Sequence, residues 1–298
     1  MPPMGNMPMV NLALAAAPST GYSTLRIQPT SEQPASSSDD NGAFRVSCGF
    51  SHMLNDDPIV YPGKQGAAHH HTFFGNTGTN YASTSESIRI SGNSTCNGGI
   101  MNRSAYWEPS MIDTSSGAPL RPRNLMVYYK QGPVSVIPRG LRMIAGDHLS
   151  SAPQAHQWFE CNEEYSSRKP HIVSCGQGGL LTSSVTFPDC WNGKDLDSAN
   201  HKSHMAYSSD TNNSCPASHP KRIPTITMLT YYEVNSSAGT SKWRLASDNY
   251  AGGNGGYSSH ADFMMGWDEV IHKTVVDKCI NPSKDCHAHL LGDGREFY

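Results

Sequence analysis

Thr225-Ile226-Thr227-Met228-Leu229-Thr230-Tyr231-Tyr232-Glu233-Val234, TITMLTYYEV, is the stretch on which the fold turns. It is rich in β-branched and aromatic residues and lies between Pro224 and Asn235, the composition of a strand between two breakers. Shorter runs of the same character recur along the chain: FRVSCGF (44–50), ESIRISG (86–92), NLMVYYK (124–130), LRMIAG (141–146) and SSVTFP (183–188). Each is bounded by Gly, Pro, Asn or Asp, and such spacing predicts an all-β fold, an antiparallel β-sandwich of jelly-roll type with long loops. One helix is expected near the C-terminus, over Trp267–Cys279, because Trp267, Val270, Ile271 and Val275 fall at helical spacing with acids in the first turn. Asp268 is expected to act there as a cap.

The chain of 298 residues is long enough to bury a substantial core. Residues 1–43 are expected to lie outside it as a disordered N-terminal segment, and residues 44–298 to form a single β-rich domain. Two features mark that segment. MetVal…AlaAlaAla (9–17) is a short apolar run ending in small residues, which suggests a signal-peptide remnant or a plain tail. SEQPASSSDDN (31–41) is too polar to offset the entropy of ordering it and reads as a linker.

Only 16% of the residues are charged and the net charge is -3, so no basic stripe invites a nucleic-acid backbone. No segment reaches the ~18 apolar residues of a membrane span. The eight cysteines are even in number and form no C-x-x-C pattern, which favours disulfides in an oxidising compartment over zinc ribbons or thioredoxin chemistry. Neighbours along the chain suggest the pairs Cys161–Cys175, Cys190–Cys215, Cys279–Cys286 and Cys48–Cys96. Four Asn-x-Ser/Thr sequons, at Asn93, Asn102, Asn212 and Asn235, would be glycosylation sites in a eukaryotic secretory pathway.

Chemistry concentrates in histidines and aspartates. In AHHHTFFGN (68–76), an extended chain puts His69 and His71 on one face and His70 on the other, so that the first two can converge on one ion or one substrate group. FPDCWNGKDLDSANHKSHMAY (187–207) packs Asp189, Asp195, Asp197, His201 and His204 into one irregular segment, and neutral histidine beside carboxylate serves metal binding and proton transfer alike. A Gly-rich loop, Ser237–Phe263, leads to SSHADFMMGWDEV (258–270), which adds His260 and Asp262. Tyr106, Trp107, Trp191 and Trp267 are candidates to stack on sugar rings, with burial in the sandwich core as the alternative. No phosphate-binding glycine loop follows a strand, no G-x-S-x-G elbow is present and no free thiol is expected, so nucleotide chemistry and acyl transfer lack support.

DDPIVYPGKQGAAHHHTFFGN (56–76), STCNGGIMNRSAYWEPSMID (94–113), FPDCWNGKDLDSANHKSHMAY, CPASHPKRIP (215–224) and HADFMMGWDEV (260–270) together resemble the domain-of-unknown-function 1996 family, secreted proteins of fungi and bacteria. The family pattern of Asp-Pro-Ile-Val-x-Pro-Gly followed by His-x-His falls on Asp57–Gly63 and on His69 and His71, with His70 in the variable slot. Fungal relatives are often joined to cell-wall-binding modules, which implies a polysaccharide setting. Met264 departs from the aromatic that DFW-x-GWD would have there, which removes a stacking ring.

These readings lead to a secreted carbohydrate-active enzyme, a polysaccharide hydrolase or lyase, with His69, His71, His201, His204, Asp57, Asp197 and Asp262 as catalytic candidates. Substrate contacts are expected from Tyr106, Trp107, Trp191, His260 and Trp267. A second reading is a mononuclear copper or zinc enzyme with His69, His71 and His204 as ligands. A third is a non-catalytic wall-binding module. The expected partner is a cell-wall glycan, with no nucleic acid and no membrane span.

Overall fold

The computed structural model describes residues 5–298. It is built largely of antiparallel strands, and two sheets carry the architecture. The strands that matter here are β1 (Ala35–Ser36), β2 (Ala43–Cys48), β3 (Phe50–Leu54), β4 (His71–Gly75), β5 (Ala105–Pro109), β6 (Asn124–Lys130), β7 (Arg142–Gly146), β8 (Gln157–Cys161), β9 (Leu180–Thr186), β10 (Thr225–Glu233), β11 (His260–Met264) and β12 (Lys284–Asp285). One sheet has five strands in the order β7-β11-β5-β4-β3, and the other has seven in the order β8-β9-β10-β6-β2-β12-β1. Pairing within them is antiparallel, apart from the parallel contact of Asp285 with Ala43.

The sheets face one another across a large apolar cluster. Phe74, Tyr106, Met143, Ala145 and Phe263 point inward from the five-stranded sheet and meet Phe44, Val46, Leu125, Val127, Val185, Ile226 and Met228 from the seven-stranded one. Strand alternation accounts for this, since each contributing position is two residues from the next on its strand.

The two sheets differ in their outer faces, and the difference decides where a site can form. Along β6 and β10 buried residues alternate with half-exposed ones, as in a sheet with one face in water. Along β4, β5 and β11 every residue is buried. The far face of the five-stranded sheet is therefore covered, and Ile59, Phe73, Ile88, Ala105, Trp107 and Met264 form a second apolar cluster there.

ESIRISG, expected as a strand, is instead part of a short helix, α1 (Ser85–Ile90). Its start explains the reversal. The Thr84 hydroxyl accepts from the Ser87 N–H at 3.1 Å while the Ser87 hydroxyl accepts from the Thr84 N–H at 2.9 Å, a reciprocal cap that outweighs the β-branched content. The C-terminal helix, α2 (Glu269–Val275), runs on through a wider turn to Ile280. It begins two residues later than Trp267 because Asp268 caps it, its Oδ1 accepting from the N–H groups of Val270 and Ile271 at 3.0 Å each.

All four disulfides join the cysteines that sequence proximity paired: Cys48–Cys96, Cys161–Cys175, Cys190–Cys215 and Cys279–Cys286. Residues 5–43 do not stand apart from the domain as the disordered tail expected, and residues 1–4 of that segment lie outside the described residues. Ile27–Pro29 pairs with Arg295–Phe297, β1 pairs with β12, and the Asn11 N–H donates to the Gly117 carbonyl at 2.8 Å. The backbone groups of this polar stretch are met by the C-terminal strands, a partner that local composition does not reveal. Among the described residues no helix is long and apolar enough to cross a membrane.

Candidate functional site

The site lies on the covered outer face of the five-stranded sheet, and strand register puts it there. Phe73 pairs with Trp107, Trp107 with Asp262, and Asp262 with Ile144, so these four side chains form one row across β4, β5, β11 and β7. One row further on, His71 pairs with Pro109, and His260 lies two residues from Asp262 on the same face of β11. Pro109 separates the two histidines and is short enough for their rings to lean together above it, with centroids 5.8 Å apart.

The loop before β4 brings in the third imidazole. Asp57 Oδ1 accepts from the N–H groups of Ile59 and Val60 at 2.8 and 2.9 Å. Asp56 Oδ1 accepts from Gly66 N–H at 2.8 Å and its Oδ2 from Tyr81 N–H at 3.1 Å. These carboxylates fold DDPIVYPGKQG back over the sheet, and the chain re-enters it at His71 with His69 on the same side. The rings of His69 and His71 are 4.3 Å apart, and Nε2 of His69 is 3.1 Å from Nε2 of His260. His70 turns the other way, to the hydroxyl of Ser110 at 2.9 Å. His148, just past β7, holds its ring 6.0 Å from that of His69 and 5.9 Å from that of His260.

Second contacts fix the tautomers. Nδ1–H of His71 donates to the Asp56 carbonyl at 3.0 Å, and Nδ1–H of His260 donates to the Ser258 carbonyl at 2.8 Å. In both rings Nε2 is left with its lone pair. Nε2 of His71 is buried without a hydrogen-bond partner, and so are both carboxyl oxygens of Asp262. One ligand atom from each of His69, His71 and His260 lies within 4.8 Å of the others, and the same holds for Asp57, His71 and Asp262.

Burial sets the charge of these groups. It holds His71 down at about 3 and His69 and His260 well below the usual imidazole value, with the neighbouring imidazoles adding to the effect. Burial raises Asp262 well above the ordinary carboxylate range, helped by the charge of Asp57, and raises Asp57 as well. The floor is thus a set of neutral imidazoles beside a carboxyl that resists ionisation. Above it opens a cleft of about 730 Å³, walled by Tyr61, His148, His201 and Lys202 and rimmed by Met7, Pro8, Val10 and Leu12 of the N-terminal segment.

The expected residues fall into three groups. His69, His71, His260, Asp57 and Asp262 come together. His201 borders the cleft, with its Nδ1 on Asp197 Oδ1 at 3.0 Å, while Asp197 is also approached by Arg142 at 3.4 Å. His204 does not join the cluster. Its Nδ1 meets the Ser198 hydroxyl at 3.0 Å and its Nε2 the Arg142 carbonyl at 2.7 Å, so both nitrogens are occupied and the expected ligand set of His69, His71 and His204 does not form. His260, expected as a substrate contact, takes the third place.

The aromatic platform also needs correction. Tyr106, Trp107 and Trp267 are buried, with Trp107 stacked on Phe73 at 5.6 Å and the indole N–H of Trp267 donating to the Tyr129 hydroxyl at 3.0 Å. Trp191 is half-buried against the core and its N–H donates to the Asp195 carbonyl at 2.7 Å, away from the cleft. None of the four presents a ring to a substrate there. His148 was missed, and the signal for it was positional: it follows the strand that pairs antiparallel with β11, so it had to emerge beside His260.

A covered β-sandwich face carrying a histidine-and-aspartate cluster at the base of a cleft defines the class. The chain belongs to the family described as Domain of unknown function (DUF1996), whose model matches residues 57–267. That span runs from Asp57 to Trp267 and takes in every member of the cluster. No curated protein and no solved structure matches the chain.

Proposed function

We propose that this protein is a secreted enzyme that cleaves a cell-wall polysaccharide, by hydrolysis or elimination, at the His69–His71–His260–Asp262 floor. The single observation that carries the reading is a pair of buried, unpartnered groups side by side, Nε2 of His71 and the carboxyl of Asp262, the second of which lines an open cleft. Leaving such groups unsatisfied costs about 1–3 kcal/mol each. A binding module has no use for that cost, whereas both cleavage routes need a proton acceptor and a proton donor held within reach of one bond. The four disulfides fit an oxidising, extracellular setting.

The test is a panel of cell-wall and uronic-acid polysaccharides assayed for new reducing ends and for the absorbance of unsaturated products. Reducing ends alone indicate hydrolysis, and both signals together indicate elimination. Cleavage is expected to disappear in Asp262→Asn. A panel in which no polysaccharide yields either product would overturn the proposal.

A further inference from the structure

We infer that His69, His71 and His260 form a mononuclear centre for a divalent first-row transition ion of the zinc or copper kind. The inference concerns the same floor as the proposed function, yet metal uptake is measured without any substrate, so either can fail alone.

Four observations carry it. First, the donors are of one type, neutral imidazole nitrogen, which suits zinc and copper and not magnesium or calcium. Second, the spacing is right. Two nitrogens bound to one tetrahedral ion at 2.0–2.1 Å stand roughly 3.3 Å apart. Nε2 of His69 and Nε2 of His260 are 3.1 Å apart, and a nitrogen of His71 completes a set within 4.8 Å.

Third, the outer contacts are those of metal ligands. His71 and His260 each donate Nδ1–H to a backbone carbonyl, of Asp56 and Ser258, which leaves Nε2 as the acceptor nitrogen in both. That of His71 has no partner, and that of His260 meets Nε2–H of His69 at 3.1 Å, a contact that an ion between the two rings replaces. Fourth, Nε2 of His71 is buried and has no hydrogen-bond partner, a cost that an ion at this point removes. Asp57 and Asp262 stand beside His71 with ligand atoms within 4.8 Å of its nitrogen, and their carboxyls can balance an added positive charge. Two of the three ligands, His69 and His260, line the cleft, so an ion held by the three nitrogens keeps a coordination position for water or substrate on that side, the arrangement of a catalytic centre and not of a closed structural one.

The rest of the molecule offers a weaker group. Glu32, His289 and Glu296 also lie within 4.8 Å of one another, but at the surface and already paired, with His289 on Glu32 at 3.2 Å and Glu296 accepting from Gln28 at 2.7 Å. It serves as the control.

The experiment uses the full chain purified without a histidine tag, stripped with a chelator and dialysed. It is titrated with Zn²⁺ and, separately, with Cu²⁺ by calorimetry, and bound metal is counted by mass spectrometry. About one equivalent per chain is expected, binding roughly 100-fold more weakly in His260→Ala. His289→Ala is expected to bind as the parent does. His69→Gln gives a second reading should His260→Ala fail to fold, since the ring of His69 locks no backbone group. The copper-loaded parent is expected to show nitrogen hyperfine splitting in its electron paramagnetic resonance spectrum. Uptake that survives both cluster variants, uptake lost in His289→Ala, or a copper spectrum without nitrogen splitting would each overturn the assignment.

Discussion

Nε2 of His69 and Nε2 of His260 lie 3.1 Å apart although 191 residues separate them in the chain. The contact joins the loop that enters the first strand of the site to the strand that leaves the last long loop. It exists only because β4, β5 and β11 are consecutive neighbours in one sheet.

Asp262 should behave as a functional residue kept at the expense of stability. Its carboxyl is buried with no partner, so at neutral pH the folded chain must either carry a charge in an apolar place or retain a proton that the unfolded chain has released. Asp262→Asn is expected to raise the urea midpoint at pH 7 and to cut turnover by a factor of about 100 or more. A lowered midpoint would show that the carboxyl is structural.

His204 should behave in the opposite way. Both its ring nitrogens are engaged, with Ser198 and with the Arg142 carbonyl, and its ring is buried. His204→Ala is expected to cost about 1–3 kcal/mol in denaturant unfolding. Cleavage per folded molecule should stay within a few-fold of the parent, and a loss as large as that of Asp262→Asn would return His204 to the active set.

Glu108 gives a pH signature from the interior of the sandwich. It accepts from the Tyr232 hydroxyl at 3.0 Å, and burial lifts it from the ordinary 4.5 to about 7. Between those values the unfolded chain has lost the proton and the folded chain keeps it. The folded state then binds more protons, and this group's contribution to stability falls as pH rises from about 4.5 to about 7, by on the order of 3 kcal/mol. Glu108→Gln removes that slope, so the stability difference between variant and parent should grow across the window and level off above it. A difference that does not change with pH between 4 and 8, on the scale of about 1.4 kcal/mol per unit, would contradict the assignment.

The disulfides should differ in weight according to the loops they close. Cys48–Cys96 spans 48 residues and Cys279–Cys286 spans 7. Loop-closure entropy gives about 4 kcal/mol for the first and about 2.4 kcal/mol for the second. Replacing each pair by alanines and measuring unfolding should preserve that order, and a reversed order would mean that residual structure in the unfolded chain outweighs loop length.

Trp107 should matter to packing and not to glycan binding. It is buried in the second apolar cluster and stacks on Phe73. Trp107→Ala is expected to cost about 3–5 kcal/mol. Trp107→Phe, which keeps most of the apolar contact, should retain cleavage with an unchanged Michaelis constant, and a large rise in that constant would restore a substrate contact.

What was legible in the chain follows from the range of the forces involved. TITMLTYYEV and NLMVYYK are strands because strand preference is local, and the cysteines pair with sequence neighbours because short loops close most readily. His69 and His71 do meet, but His69 lies in the loop before β4, so it is the fold-back of that loop, and not the twofold period of a strand, that sets its ring beside that of His71. His260 could not be joined to them in the same way, since the link is a strand order set by the whole sheet. Trp107 was ambiguous for a related reason: whether it meets solvent depends on what covers the far face of its sheet, and that cover comes from residues such as Ile59 and Ile88, far away in sequence. ESIRISG misled because the reciprocal cap between Thr84 and Ser87 outweighs side-chain branching.

The burial of β4, β5 and β11 on both faces divides the molecule by timescale. His71, His260 and Asp262 sit on backbone whose amides should be among the last to exchange with deuterated solvent, because opening them requires loss of the sheet itself. The cleft's rim at Met7–Leu12 and the loop carrying His201 lie outside the two sheets, and apart from hydrogen-bonded amides, such as that of Asn11 to Gly117, they should exchange early. Any adjustment to a long, irregular polymer must then come from the rim, while the reacting groups stay as stationary as the core of the fold.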